Sequence, residues 1–244
     1  MENTEQTDYS YIGHRITEVR RRLAAAAEHS PCGQVPELLL ASKYATAEEM
    51  NYAAHCCGVH LFGENRVSAL LEKYERLDRN KMELHFIGSL QTNKVKSIIG
   101  KVALIHSLDS LHLADTIERC SAAAGVRTGV LCEVNIGREP QKGGLLPEDL
   151  APFLDRIFAY PHLECRGLMT MAPNCARIED YRKFFRETYR IFIDIFSKKL
   201  HNIDSYAKSP ILSMGMSESY EIAAEEGATL VRVGRAVFRS KEEE

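Results

Sequence analysis

Short apolar runs alternate with amphipathic stretches along most of the chain. The apolar runs predict eight strands, at residues 38–42, 59–63, 84–88, 103–108, 128–135, 163–170, 211–215 and 229–234. Helical patterns lie between them, as at residues 46–57, 64–77, 110–124 and 177–200. Apolar strands that alternate with helices are typical of a parallel sheet covered by helices.

One further helix is predicted ahead of the first strand, over residues 9–29. Its apolar positions recur at steps of three and four and form one stripe: Ile12, Ile16, Val19, Leu23 and Ala27. Too few residues follow the last strand for a full helix of its own. We therefore expect helix 9–29 to cover that gap in the outer ring of helices.

The number of units favours a closed barrel. A barrel of alternating strands and helices needs about 250 residues, and the chain has 244. We predict a single (β/α)8 TIM-type barrel over residues 9–240, preceded by a flexible tail at 1–8. A doubly wound open sheet is the alternative that the same pattern allows.

Composition excludes several classes of function. The formal net charge is −3 and no long basic run occurs, so nucleic acid is not expected as the main partner. The first residues lack the apolar core of a signal peptide, and no apolar stretch reaches the ~18 residues of a membrane span. Seven cysteines without metal-ligand spacing predict free thiols, no metal site and a cytoplasmic protein.

The chemistry of such a barrel lies at the carboxyl ends of its strands. Lys43 closes the first predicted strand and precedes a capping box at Thr46 and Glu49. A partly desolvated lysine at this rim is neutral often enough to attack an aldehyde. The alternative is an ordinary rim lysine paired with a carboxylate.

Two later strand ends suggest an anion site. Residues 213–217 form a glycine-containing turn in which Ser217 is a candidate N-cap for a helix at 218–226, and Gly234 ends the last strand. The last two strands of a barrel often hold phosphate. Each turn taken singly also fits an ordinary cap or loop, and no nucleotide-binding glycine motif is present.

Other polar positions are weaker candidates. His85 and His106 lie within apolar strands and are interpreted as core histidines that have hydrogen-bond partners. Glu64 and Asn65 either orient a ligand or cap the following helix. The glycine-rich segment 137–144 is interpreted as a plain loop, with a lid as the alternative.

Several of these strings together resemble the YggS/PROSC family of pyridoxal 5′-phosphate (PLP) homeostasis proteins. The resemblance extends from Leu38 to Phe238. Its motifs are LASK at 40–43, LFGEN at 61–65, HFIGSLQTNK at 85–94, RGLMTMAP at 166–173, SMGMS at 213–217 and VRVG at 231–234. The SMGMS and HFIGSLQTNK motifs are highly specific.

The resemblance implies a barrel like the N-terminal domain of alanine racemase, with PLP as its cofactor. The residues that it implies for cofactor binding are Lys43, Asn65, Thr170, Ser213, Ser217, Arg232, Gly234 and Arg235. Lys43 would hold PLP as an imine, Ser217, Gly234 and the backbone at Arg235 would hold the phosphate, and Arg232 would face the pyridine nitrogen. The other three would line the pocket.

The implied function is a PLP carrier that takes part in vitamin B6, amino-acid and keto-acid homeostasis and has no catalytic residues. Arg232 can only donate to the pyridine nitrogen, which makes the ring a poorer electron sink. The racemases also use a base from a C-terminal β-domain, for which the sequence has no room; for the same reason we expect a monomer.

Three other functions stay open. A PLP-dependent racemase with weak activity is the main alternative, and a class I aldolase or a module that docks apo-PLP enzymes are the others. The chain departs from the usual family pattern at Ser219, normally aspartate, and at Arg239, normally glycine. Both departures concern local loop geometry.

Overall fold

The computed structural model describes residues 8–200 and 209–238, without the side chains of 197–200. Within these residues eight parallel strands pair in chain order, β1 to β8, and β8 pairs with β1. The strands are β1 (Glu37–Ala41), β2 (Leu61–Glu64), β3 (Glu83–Phe86), β4 (Leu104–Leu108), β5 (Thr128–Val134), β6 (Leu163–Thr170), β7 (Ile211–Ser213) and β8 (Leu230–Val233). The predicted closed barrel is therefore confirmed, and the open sheet is not what the sequence forms.

Helices cover the outside of this barrel. They are α1 (Ser10–Ala27), α2 (Ala47–Cys57), α3 (Val67–Tyr74), α4 (Val95–Ile98), α5 (Leu111–Ala124), α6 (Leu150–Ile157), α7 (Tyr181–Leu200), α8 (Tyr220–Glu225) and α9 (Arg235–Phe238). Helix α3 is shorter than predicted, because residue 64 still belongs to β2 and Arg66 is the N-cap. No helix in the described parts of the chain is long and apolar enough to cross a membrane.

Helix α1 closes the ring of helices, as the sequence predicts. It packs against α2 on one side and against α8 and α9 on the other. The guanidinium of Arg15 donates to the carbonyl of Val237 at 3.1 Å, which ties α1 to the segment that follows the last strand. The short α9 alone would leave this part of the barrel wall uncovered.

Local signals set the bounds of α2. Thr46 accepts from the backbone of Glu49, and the Glu49 carboxylate accepts from the backbone of Thr46, so the predicted capping box is present. Gly58 ends the helix in a left-handed conformation with φ of 60°, which costs glycine little. Lys43 lies in the short turn between β1 and this capped helix.

One glycine lets two strands approach closely. Gly167 has φ of +145°, and a Cβ built on it would lie 1.9 Å from the carbonyl oxygen of Ile211 on the neighbouring strand. Strand β6 also shifts its register against β5 between Val130 and Leu131. Glycine at this position therefore allows the irregular β6 to pair with β7.

Candidate functional site

Most of the residues expected to bind the cofactor line one pocket at the carboxyl ends of the strands. This pocket has a volume of about 300 Å³. Its lining residues are Ala41, Lys43, Tyr44, Asn65, Ile87, Met171, Met216, Ser217, Arg232, Gly234 and Arg235. Six of the eight predicted residues are among them. Five others, which are apolar or aromatic, were not predicted from the sequence.

Lys43 reaches the pocket from the turn after β1, and its side chain is exposed. The expected partial desolvation is therefore wrong for this structure. The reason is that β1 ends at Ala41, so Lys43 lies two residues beyond the barrel wall. Its Nζ lies 4.6 Å from the ring centroid of Tyr44, which is within the range of a cation–π contact.

The predicted phosphate-binding turns meet on one side of the pocket. The Ser217 hydroxyl accepts from the backbone N–H of Gly234 at 3.2 Å and of Ala236 at 3.5 Å. A Cβ at position 234 would lie 2.9 Å from the carbonyl oxygen of Ala41, so glycine permits β8 to lie against β1 here. The guanidinium of Arg235 pairs with Glu218, and its backbone remains beside the pocket.

Ser217 does not cap the following helix, which corrects the sequence interpretation. Helix α8 begins at Tyr220 with Ser219 as its N-cap residue. The Ser219 hydroxyl accepts from the backbone N–H of Met216 at 3.2 Å, and its own N–H donates to the Met216 carbonyl. Serine at this departure from the family pattern thus holds the turn together, whereas Arg239 lies outside the described residues.

Arg232 lies in the floor of the pocket and is only 5% exposed. Its Nη1 donates to the Ser213 hydroxyl at 2.6 Å and its Nη2 donates to the carbonyl of Thr170 at 2.9 Å. Burial lowers the pKa of this guanidinium to about 10, although Glu133 acts in the opposite direction. The side chain therefore remains a cation at neutral pH.

Thr170 and Ser213 lie behind Arg232, and the pocket surface is formed by other residues. Both are completely buried, and the Thr170 hydroxyl donates to the carbonyl of Val134 at 2.7 Å. They are the last residues of β6 and β7, and both contact Arg232, Ser213 through its hydroxyl and Thr170 through its carbonyl. The expectation that they line the pocket is therefore wrong for this structure.

Asn65 lines the pocket and carries a polar atom that lacks a partner. Its side-chain oxygen is buried without a hydrogen bond. Its neighbour Glu64 is engaged otherwise: this carboxylate accepts from Lys73 at 2.8 Å, from Ser42 at 3.1 Å and from the Asn65 backbone. Neither residue is the N-cap of α3, so the capping alternative is wrong, and Asn65 is available to a ligand.

Two polar residues that lie under the pocket were not predicted from the sequence to belong to the site. Glu133, 7% exposed, has its pKa raised to about 7 by burial and by the charge of Asp109. His106 is fully buried and bonds to both His85 and Ser213. The sequence signal that could have identified Glu133 is its position as the only acidic residue in the seven-residue buried strand β5.

The loop after β5 is tied down at its base. Asn135 donates from its side chain to the carbonyls of Glu139 and Lys142 and accepts from the backbone of Glu139. Val134 and Leu145 form a bridge across the two ends of this loop. These contacts favour the plain-loop interpretation of residues 137–144.

The described part of the chain contains no cluster of histidine, cysteine and acidic residues that suits a metal. The residues present fit PLP: an amine, a glycine-bearing cradle, a buried guanidinium and an unpartnered amide oxygen surround one pocket. The barrel type and this residue set point to one group of known proteins, which sequence and structure comparisons identify.

The model of the alanine racemase N-terminal domain matches residues 12–241. A pyridoxal phosphate homeostasis protein of Aquifex aeolicus is 40% identical over 224 residues, which cover 92% of this chain and 96% of the relative. The chain belongs to the pyridoxal phosphate homeostasis protein family. The family expectation drawn from the sequence motifs is thereby confirmed.

Solved structures agree with this assignment. PipY of Synechococcus elongatus, in a structure with PLP bound, is 28% identical with a TM-score of 0.79, over 93% of this chain and 99% of PipY. An alanine racemase of Clostridium difficile shares the fold, with a TM-score of 0.74 at 12% identity over 96% of this chain and 58% of the racemase. Members of the family thus share this barrel with the racemase.

Proposed function

We propose that this protein binds PLP at the mouth of the barrel, holds it as an imine on Lys43 and takes part in intracellular PLP homeostasis. The observation that carries the proposal is the single pocket in which Lys43, the turns at Ser217 and Gly234, and Arg232 come together. The PLP-bound relative PipY and the name of the Aquifex aeolicus relative support it.

The side of the pocket formed by Ser217, Gly234 and the backbone at Arg235 suits a phosphate ester. Gly234 allows close approach of backbone, and the Ser217 hydroxyl is within hydrogen-bond distance of two N–H groups on the same side. Backbone N–H groups and hydroxyls of this kind bind phosphate without a dedicated cation. We assign Ser217, Gly234 and the backbone at Arg235 to the phosphate.

Asn65 and Arg232 would contact the ring of the cofactor. The unpartnered amide oxygen of Asn65 would gain a hydrogen bond that it lacks, and a buried unpaired polar atom is costly to leave so. Arg232, fixed by Ser213 and by the carbonyl of Thr170, would face the pyridine nitrogen. In this proposal Ser213 and Thr170 act on the cofactor only through Arg232.

We propose that the protein carries PLP without turning over a substrate. PLP supplies an electron sink to enzymes that protonate its pyridine nitrogen. Arg232 stays charged at neutral pH and has no lone pair to share, so it opposes that protonation. We further propose that the protein works in the cytoplasm as a monomer and passes PLP to apo-enzymes.

Borohydride reduction of PLP-loaded protein, followed by peptide mass spectrometry, tests the assignment. We expect the pyridoxyl label on Lys43, and loss of both the label and the absorbance of bound PLP in Lys43→Ala. Lys96→Ala is the matched control, since Lys96 is exposed and lies outside the pocket. A label on another lysine, or none, would overturn the proposal.

The racemase alternative is separated by a second measurement. Loaded wild-type protein is incubated in deuterium oxide with L-alanine and with D-alanine, and exchange at Cα is followed by NMR. A carrier produces no sustained exchange, whereas exchange at ordinary enzymatic rates that depends on Lys43 would favour the racemase.

A further inference from the structure

A chain of polar side chains crosses the interior of the barrel beneath the pocket. The Glu83 carboxylate lies 2.9 Å from Nε2 of His85, and Nδ1 of His85 lies 3.0 Å from Nε2 of His106. Nδ1 of His106 is 3.2 Å from the Ser213 hydroxyl, which accepts from Arg232. Strands β3, β4, β7 and β8 each contribute to this chain.

The middle of the chain is cut off from solvent. His85 is 2% exposed, and His106 and Ser213 are completely buried, whereas the Glu83 side chain is 39% exposed at the amino end of β3. Barrel interiors are normally filled by bulky apolar side chains. Four consecutive hydrogen bonds in that position therefore need a role that apolar packing would not serve.

The number of protons fixes the direction of these hydrogen bonds. A guanidinium only donates, so Arg232 occupies one lone pair of the Ser213 oxygen. If His106 also donated to that oxygen, the buried Ser213 proton would have no acceptor, because His106 and Arg232 are the only partners of this hydroxyl in the described structure. Such an unpaired buried donor is unfavourable.

The opposite direction satisfies every group. Ser213 then donates to Nδ1 of His106, His106 donates from Nε2 to Nδ1 of His85, and His85 donates from Nε2 to Glu83. Both imidazoles are neutral in this arrangement. Burial lowers the pKa of His106, and the neighbouring His85 and Arg232 lower it further, which agrees with a neutral ring.

We propose that Glu83, His85 and His106 are positioning residues that act on Arg232 through Ser213. The acceptor at the far end of the chain keeps every hydroxyl and N–H directed away from Arg232, so that the Ser213 lone pair faces Nη1. The Thr170 carbonyl holds Nη2 independently. Together the two anchors fix the plane of the guanidinium in the pocket floor.

This inference rests on the proposed function in one respect only, namely that Arg232 faces the pyridine nitrogen of PLP. The direction of the chain and the immobility of Arg232 are properties of the cofactor-free protein. They are measured without PLP, so a failure of PLP binding and a failure of the chain give different results.

Nitrogen-15 NMR of the cofactor-free protein, labelled on histidine and arginine, tests the chain directly. We expect His85 and His106 to be neutral with the proton on Nε2, and His85→Gln and His106→Gln assign their signals. We also expect slow rotation of the Arg232 guanidinium in wild type and faster rotation in His106→Phe and Glu83→Leu. A proton on Nδ1 of His106, or unchanged Arg232 rotation in both variants, would overturn the proposal.

Glu83→Leu removes the acceptor for His85 and lies at the solvent end, where the side chain is 39% exposed, so it remains informative if His106→Phe does not fold. Met169→Leu is the matched control, because Met169 is 1% exposed in the barrel interior and is not part of the chain. It should leave the Arg232 signals of the wild type unchanged.

Loading with PLP extends the test to the pocket. We expect the dissociation constant for PLP to rise by roughly tenfold in His106→Phe, as for loss of one hydrogen bond to a charged group. A smaller rise is expected in Glu83→Leu, and none in Met169→Leu. The absorbance maximum of bound PLP should move in the same order. A purely structural role would lower the melting temperature and leave both quantities at the level of Met169→Leu, which would refute the effect on the pocket.

Discussion

The two sides of the barrel wall are packed differently. Outside, between strands and helices, more than fifty buried apolar residues form one continuous cluster. Inside, the apolar residues fall into two small clusters, one around Leu39 and Leu61 and the other around Leu104 and Leu131. The polar chain that reaches Arg232 occupies the same interior.

The difference shows how one fold separates stability from binding. The outer layer buries most of the apolar surface, and such burial is the main favourable contribution to folding. The interior replaces part of that packing with groups whose hydrogen bonds must all be satisfied. We therefore expect changes in the outer layer to affect mainly the free energy of unfolding, and changes in the interior to affect the pocket.

The largest effect on stability is expected in the outer layer. Phe62 is completely buried there, and we expect Phe62→Ala to lower the free energy of unfolding by about 3–5 kcal/mol. Urea unfolding followed by circular dichroism measures the change. Leu71→Ala is the control, because Leu71 is 37% exposed on α3. A loss for Phe62→Ala no greater than that of the control would contradict the comparison.

Inside the barrel, Glu133 should make stability depend on pH. Its pKa is raised from 4.5 to about 7, so between these values the folded protein binds a proton that the unfolded chain has released. Its contribution to stability is therefore present below about pH 4.5 and is lost as pH rises through 7. Relative to Glu133→Gln, the wild type should lose on the order of 2 kcal/mol over this range.

Unfolding titrations of both proteins at pH 5, 6, 7 and 8 test this slope. Glu148→Gln is a suitable control, because Glu148 is an exposed acid that pairs with Arg138. Parallel pH profiles for wild type and Glu133→Gln would show that burial does not hold the proton on Glu133.

The sequence predicts well those features that depend on which face of an element is buried and on residues close together in the chain. The period of apolar residues depends only on which face of an element is buried, so all eight strands and the closed barrel are predicted. The capping box at Thr46 is equally local, since both of its hydrogen bonds join residues three apart. Strand ends differ from the predicted ones by at most two residues, because hydrogen bonds to neighbouring strands decide them.

The depth of a residue in the barrel is not local, and here the sequence misleads. Thr170 and Ser213 belong to motifs that reach the strand ends, yet both are completely buried behind Arg232. Conversely, Lys43 is exposed because β1 ends before it. The direction of the histidine chain depends on four strands that are distant in sequence, so no single motif contains it.

Thr170 offers the finest test of this division between wall and pocket. Its hydroxyl donates to the Val134 carbonyl, whereas Arg232 is held by the backbone carbonyl of Thr170. We therefore expect Thr170→Val to lose about 1 kcal/mol of stability and to retain the wild-type affinity for PLP. Thr170→Ser, which keeps the hydroxyl, is the control for the lost hydrogen bond. If Thr170→Val weakened PLP binding severalfold and Thr170→Ser did not, the hydroxyl would have to reach the cofactor, as the family resemblance alone implies. The backbone contact to Arg232 would then not be the main role of this residue.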